Sequence, residues 1–312
     1  LTDNEIVELR YSGSGAAGLR ACRAVYFGVI RNAIVLGWVN LAMLKVLELT
    51  LGLEPGQAPW VLAGLFLVSV VYTLLSGLWG VVLTDVMQFG VAMIGSVVLA
   101  ALAVDGAGGI DALLGTLEAR IGTHATRETI AMVPHASEAF WAFVIYVGIK
   151  SWSTGNTEGG GYIAQRLFAT RDEHAARLAA VWFAVAHFAL RPWPWILVGL
   201  VAFVTYPGLE DPEAGYVRVL LDTLPIGLRG AMIAAMLAAF MSTVDTQLNW
   251  GASYLTHDLF RRFLAPDASE RVLVRVARIS VVLLAAIGVG ATLGPLHLIA
   301  SRYRRNFEPG GA

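Results

Sequence analysis

The chain has 312 residues, of which 57% are hydrophobic and 14% charged, with a mean hydropathy of +0.66. Soluble domains carry about a quarter charged residues, so this composition excludes an ordinary water-soluble core and places most of the chain in lipid. A formal net charge of −1, with arginines in short clusters instead of one basic face, leaves no electrostatic footprint for nucleic acid.

The chain opens on the polar, acidic stretch Leu1 to Glu8, with no initiating methionine and no signal peptide, which reads as a start within a longer protein. The lone Cys22 excludes an intrachain disulfide and reads as an inert small residue. A bilayer core needs about 20 apolar helical residues, and about seven segments approach that length. The first covers 24–49 and carries Arg31, Asn32 and Lys45. The second, 60–75, and the third, 78–104, form one apolar stretch too long for a single span, and Ser76-Gly77 predicts a tight helical hairpin between them. The fourth starts at Ala139 but loses its apolar character at Lys150 and runs into Gly159-Gly160-Gly161, the pattern of a broken helix. The fifth covers 174–206, with kinks expected at Pro192 and Pro194. The sixth runs from Gly230 to about Leu255 and the seventh from Val272 to about Leu293. The expected fold is an all-α, polytopic transmembrane helical bundle.

Arginine clusters at 10–23, 166–177 and 261–278 fall on one side if all seven segments cross, which puts the start of the chain in the cytoplasm. Arg302, Arg304 and Arg305 break this pattern and set the tail 301–312 apart from the transmembrane domain 1–300.

Polar groups inside a span are costly and mark candidate sites. On the sixth segment Ser242, Thr246, Asn249 and Ser253 recur at helical spacing, flanked by Thr243 and Asp245. Hydroxyl oxygens with one nearby carboxylate suit sodium better than calcium, which prefers several carboxylates. The same hydroxyls could equally bond back to their own helix. On the third segment Asp85 and Gln88 share a face, and Asp85 lies either on an ion path or in an ion pair, with Arg31 and Arg191 as candidate partners. The scattered histidines lack metal-ligand spacing, no serine sits in a nucleophile context, and the glycines at 155–161 follow no strand. No enzyme site is expected.

Three stretches together resemble one known family, the sodium:solute symporters: Leu75 to Gln88 with its Gly-Leu-Trp and Thr-Asp pairs, Gly160 to Asp172 with Tyr-Ile-Ala-Gln-Arg, and Ala238 to Asn249 with Met-Ser-Thr, continuing to His257-Asp258. The resemblance implies a partial LeuT-type inverted repeat in which the seven segments are core helices three to nine. It implies sodium ligation by the Ala239 carbonyl and the Ser242 and Thr243 hydroxyls, with Asp85, and Asp245 beside it, on the ion's path. Trp152, Ser153, Asn156 and Glu158 fall where the family lines its solute site and inner gate, although the local sequence departs from the sugar and proline members. The implied activity is sodium-coupled symport of a small organic solute (a sugar, amino acid or carboxylate) across the plasma membrane, with Na+ as coupling ion and no cofactor. A transporter-like membrane sensor, or a fragment that transports nothing, is the alternative. The family's first, second and tenth core helices are expected outside this chain, so these residues alone should not transport.

Overall fold

A computed structural model describes residues 2–54, 56–133, 138–150, 161–209 and 211–296, without the side chains of 76, 77, 138, 139, 150, 295 and 296. Every element among them is helical. Six helical stretches are long and apolar enough to cross a membrane: Gly13–Leu51, Ala58–Leu75, Leu78–Gly106, Glu173–Thr205, Ile226–Leu264 and Glu270–Gly294. The apolar helix Phe140–Ile149 is shorter. The seven segments of the sequence are thus six long ones and one short one, in the expected order.

The chain divides into two compact units. The first contains residues 1–92, 164–169 and 233–312. It begins with α1 (Glu5–Arg10) and α2 (Gly13–Val25), and a wide π-helical turn at Tyr26–Arg31 leads into α3 (Asn32–Leu51). Next comes α4 (Ala58–Gly106), which is helical throughout. A straight helix would separate Tyr72 from Thr84 by about 18 Å, yet the Tyr72 phenol lies 2.9 Å from the Thr84 hydroxyl. A tyrosine side chain cannot span that gap, so the axis folds back sharply between them. The hairpin expected at Ser76-Gly77 is therefore present, between the apolar stretches Ala58–Leu75 and Leu78–Gly106.

The core of this unit is built from stripes at four-residue spacing. Leu62, Phe66 and Val70 of α4 meet Phe240, Val244, Leu248 and Ala252 of α12 (Ile226–Ser253) and Val281, Leu284 and Ala285 of α13 (Glu270–Ala291). Leu36, Met43 and Leu47 of α3 complete it. α12 does not stop near Leu255, as its apolar pattern predicts; a π-helical stretch at Tyr254–Leu264 carries it on past Arg261 and Arg262. Close helix approach depends on Gly251, where a Cβ would come within 2.3 Å of Asn32 Nδ2 and 2.8 Å of the Gly28 carbonyl.

One end of the α12 extension is tied to α1 and α2 by buried polar groups. Asp258, fully buried, accepts from Thr2 Oγ1 at 2.8 Å, Asn4 Nδ2 at 3.3 Å and Arg20 Nε at 2.7 Å. Arg20 also donates to Glu8 at 2.7 Å and Glu5 at 3.2 Å. Arg262 closes on Glu8 from the far side at 3.0 Å. Hydrogen bonds from Arg262 and then Arg20 hold the Glu8 carboxyl below its ordinary value. A group with a depressed folded pKa stabilises the fold above its unfolded pKa and loses that contribution as pH falls through the folded one. Glu8→Gln should therefore lower the unfolding midpoint at neutral pH, and the difference from wild type should shrink as pH falls below about 4.5 and vanish only below the depressed folded value. Thermal unfolding in detergent across this range measures it; a difference that does not change with pH would refute the assignment.

The second unit contains residues 93–163 and 170–232. It includes α5 (Ile110–Ile121), α6 (Thr123–Ile130), α7 (Glu138–Ile145) and the helix pair α9 (Glu173–Ala184) and α10 (Pro192–Thr205), followed by α11 (Gly215–Thr223). The kink expected at Pro192 and Pro194 takes the form of a π-helical stretch at Val185–Leu190, where Arg191 N–H bonds to the Ala186 carbonyl five residues back. Pro192 and Pro194 offer no N–H to the carbonyls four residues before them, and the widened turn makes room for their rings. Tyr206 donates to Asp222, and burial together with that carboxylate pushes the phenol up to about 12.

Candidate functional site

α12 turns by 3.6 residues, so with Phe240, Val244, Leu248 and Ala252 committed to the core, Ala239, Ser242, Thr243 and Thr246 lie on other faces. Ala239 is exposed, and Ser242, Thr243 and Thr246 are half-buried. Ser242 Oγ donates to Asp85 Oδ1. The other oxygen, Oδ2, accepts from Arg166 at 2.9 Å. The same guanidinium nitrogen donates to Thr246 Oγ1 at 2.8 Å. Arg166 sits on α8 (Gly161–Phe168), so a carboxylate from α4, two hydroxyls one turn apart on α12 and a cation from α8 converge within the first unit.

Neither cation suggested by sequence pairs with Asp85. Arg31 lies over the rings of Phe27 and Trp250, at 5.9 and 5.6 Å from their centroids, and Arg191 lies 4.9 Å from the Trp195 ring. The sequence places Arg166 just beyond a membrane segment, where it reads as a cytosolic charge. Only the sharp bend in α4 and the docking of α8 reveal the pair. The signal that could have found it is the Gln165-Arg166 dipeptide within the stretch that resembles the family.

Thr243 Oγ1 donates to the Ala239 carbonyl at 3.0 Å. These two candidate ligand oxygens are close enough to be shared by one small cation once the hydroxyl proton rotates aside. Asp245 does not join the Asp85 cluster through a hydrogen bond. It is 2% exposed and accepts from Thr73 Oγ1 at 2.8 Å, on the other arm of the α4 hairpin. Thr73 carried no sequence signal, because its partner is brought to it by the hairpin. Asn249 and Ser253 bond back to the Asp245 and Trp250 carbonyls, so for them the reading as helix-internal hydroxyls and amides holds. The predicted solute-site residues Trp152, Ser153, Asn156 and Glu158 lie outside the described residues, as does the tail 301–312. No group of three metal-ligating histidine, cysteine or carboxylate side chains occurs among the described residues.

Comparison with known proteins bears on this arrangement. A family model described as the sodium:solute symporter family matches residues 1–298. A sodium/mannose cotransporter of Bos taurus is 28% identical over 251 residues, covering 71% of this chain and 41% of the relative. The osmoregulated proline transporter OpuE of Bacillus subtilis (strain 168) is 29% identical over 249 residues, covering 74% of this chain and 46% of the relative. The chain thus spans less than half the length of these relatives. A solved structure of a Na+-coupled sialic acid symporter superimposes with a TM-score of 0.75 over 94% of this chain and 61% of that one, at 19% identity. That likeness establishes the fold, the expected LeuT-type arrangement.

Proposed function

This chain belongs to the sodium:solute symporter family, and on that premise we propose that it is the central part of a transporter that uses a sodium gradient to drive uptake of a small organic solute by alternating access. In this reading the Ala239 carbonyl and the Ser242 and Thr243 hydroxyls contribute ligands to the coupling ion. Asp85 receives the ion on its path inward, and Asp245, held by Thr73, lies along that path. Trp152, Ser153, Asn156 and Glu158 are assigned to the solute site or the inner gate. The relatives are named for mannose and proline, and the structural neighbour for sialic acid, so the solute is sought among sugars, amino acids and carboxylates. The protein is a multi-pass membrane protein; we place it in the plasma membrane with its first residues on the cytoplasmic side.

The observation that carries the reading is the Ser242–Asp85 hydrogen bond between two membrane-spanning helices. A carboxylate at such a position is costly unless positive charge compensates it; Arg166 does so in this structure, and a passing cation can take over that role. Hydroxyl and carbonyl oxygens around a single carboxylate form a weakly charged, hard-donor environment, from which a monovalent ion can leave again.

Reconstitution of the full-length protein in proteoliposomes tests the proposal. Radiolabelled mannose, myo-inositol, proline and sialic acid are offered with an inward sodium gradient and, separately, with potassium in its place. Accumulation of one of them only with sodium is expected. Saturable binding without exchange of internal for external label would instead identify a sensor.

A further inference from the structure

The Asp85 carboxylate already has a cation, and that cation belongs to the protein. One nitrogen of Arg166 contacts Asp85 Oδ2 at 2.9 Å and Thr246 Oγ1 at 2.8 Å, while Ser242 holds Oδ1. A carboxylate oxygen and a hydroxyl oxygen from two different helices are the donor set that a small hard cation would choose. The Arg166 and Asp85 side chains are 28% and 24% exposed, hydrated enough for the pair to open without stranding either charge in an apolar interior.

Building on the proposed sodium coupling, we infer that Arg166 is a tethered counter-ion that competes with the coupling cation for Asp85. When no ion is present the guanidinium neutralises the carboxylate, which would otherwise sit uncompensated between membrane helices. A cation that reaches Asp85 must separate it from Arg166, because two positive charges on one carboxylate repel each other. The exchange has a mechanical side. Arg166 links α8 to both α4 and α12, so a cation on Asp85 loosens α8 and its departure docks α8 again. Arg166 thereby lowers the affinity of the site and favours ion release, a role opposite to that of a residue that builds the site.

Direction of effect separates these roles. In the full-length protein in detergent, equilibrium binding of 22Na+ is measured at constant ionic strength with choline as the replacement cation. Arg166→Gln should bind sodium roughly tenfold more tightly, the scale of one charge-assisted hydrogen bond. Arg166→Lys keeps the charge and should stay within about threefold of wild type. In an Asp85→Asn background Arg166→Gln should change nothing, because competition acts through that carboxylate. Arg166→Met keeps the apolar stem and gives the same reading if the glutamine variant does not fold. Sodium binding that is unchanged or weaker in Arg166→Gln, with wild type binding normally, overturns the inference alone. Absence of saturable sodium binding in wild type overturns the sodium reading as well.

Discussion

Arg20→Met is expected to cost the protein about 3–5 kcal/mol of stability, the penalty for leaving a buried charge without its partner. The reason is Asp258, which has no exposure to solvent and receives two of its contacts from the Arg20 guanidinium, at 2.7 and 2.6 Å. Thr2 and Asn4 can still donate to it, but neither carries charge. Glu5 and Glu8 would lose the same partner. Arg262→Met is the contrast: its side chain is 46% exposed and its ion pair with Glu8 is partly hydrated. Exposed pairs are screened by solvent and contribute little, so this variant should unfold close to wild type. Thermal unfolding of both in detergent decides the matter, and equal midpoints would mean that the buried cluster contributes no more than a surface pair. A marked loss in Arg20→Met would also show that α1, α2 and the extension of α12 are held together by charge as much as by apolar contact.

The second large effect concerns the ion itself. Ser242→Ala with Thr243→Ala, in the full-length protein, should weaken sodium binding by at least about tenfold, since each hydroxyl lost from a hard-ion site is worth on the order of one hydrogen bond to a charge. The pair is chosen because the two hydroxyls do different things. Ser242 donates to Asp85 and Thr243 to the Ala239 carbonyl, so each removal disturbs one side of the candidate ligand set. Both residues are half-buried on faces of α12 outside the apolar stripe, and the fold should survive their loss. Unaltered 22Na+ affinity in the double variant would remove these residues from the sodium site. Asn249→Ala serves as a control, because its amide bonds only to its own helix among the described contacts, and it should leave sodium affinity near wild type.

How far each site was legible in sequence follows from what joins its parts. Ser242 and Thr246 are one turn apart, and their shared face can be read directly from spacing. The turning back of the chain near Ser76-Gly77 is also local, marked by a small residue and a glycine in a stretch too long to be one span. By contrast, the Asp85–Arg166 pair spans 81 positions and the Thr73–Asp245 contact spans 172. No periodicity encodes such contacts. The candidate partners Arg31 and Arg191 were reasonable by charge, but aromatic rings hold them elsewhere.

Taken by itself, the sequence determined membrane residence, the order of the spans and the family, because apolar length, loop charge and three spaced motifs are properties of a one-dimensional chain. It did not determine which charges meet. That depends on where the bend in α4 brings Asp85 and Thr73, on how far past Leu255 α12 continues before Asp258 meets Arg20, and on α8 docking beside both. These are tertiary outcomes, set by the packing of helices whose apolar stripes leave only their remaining faces free to carry the polar groups.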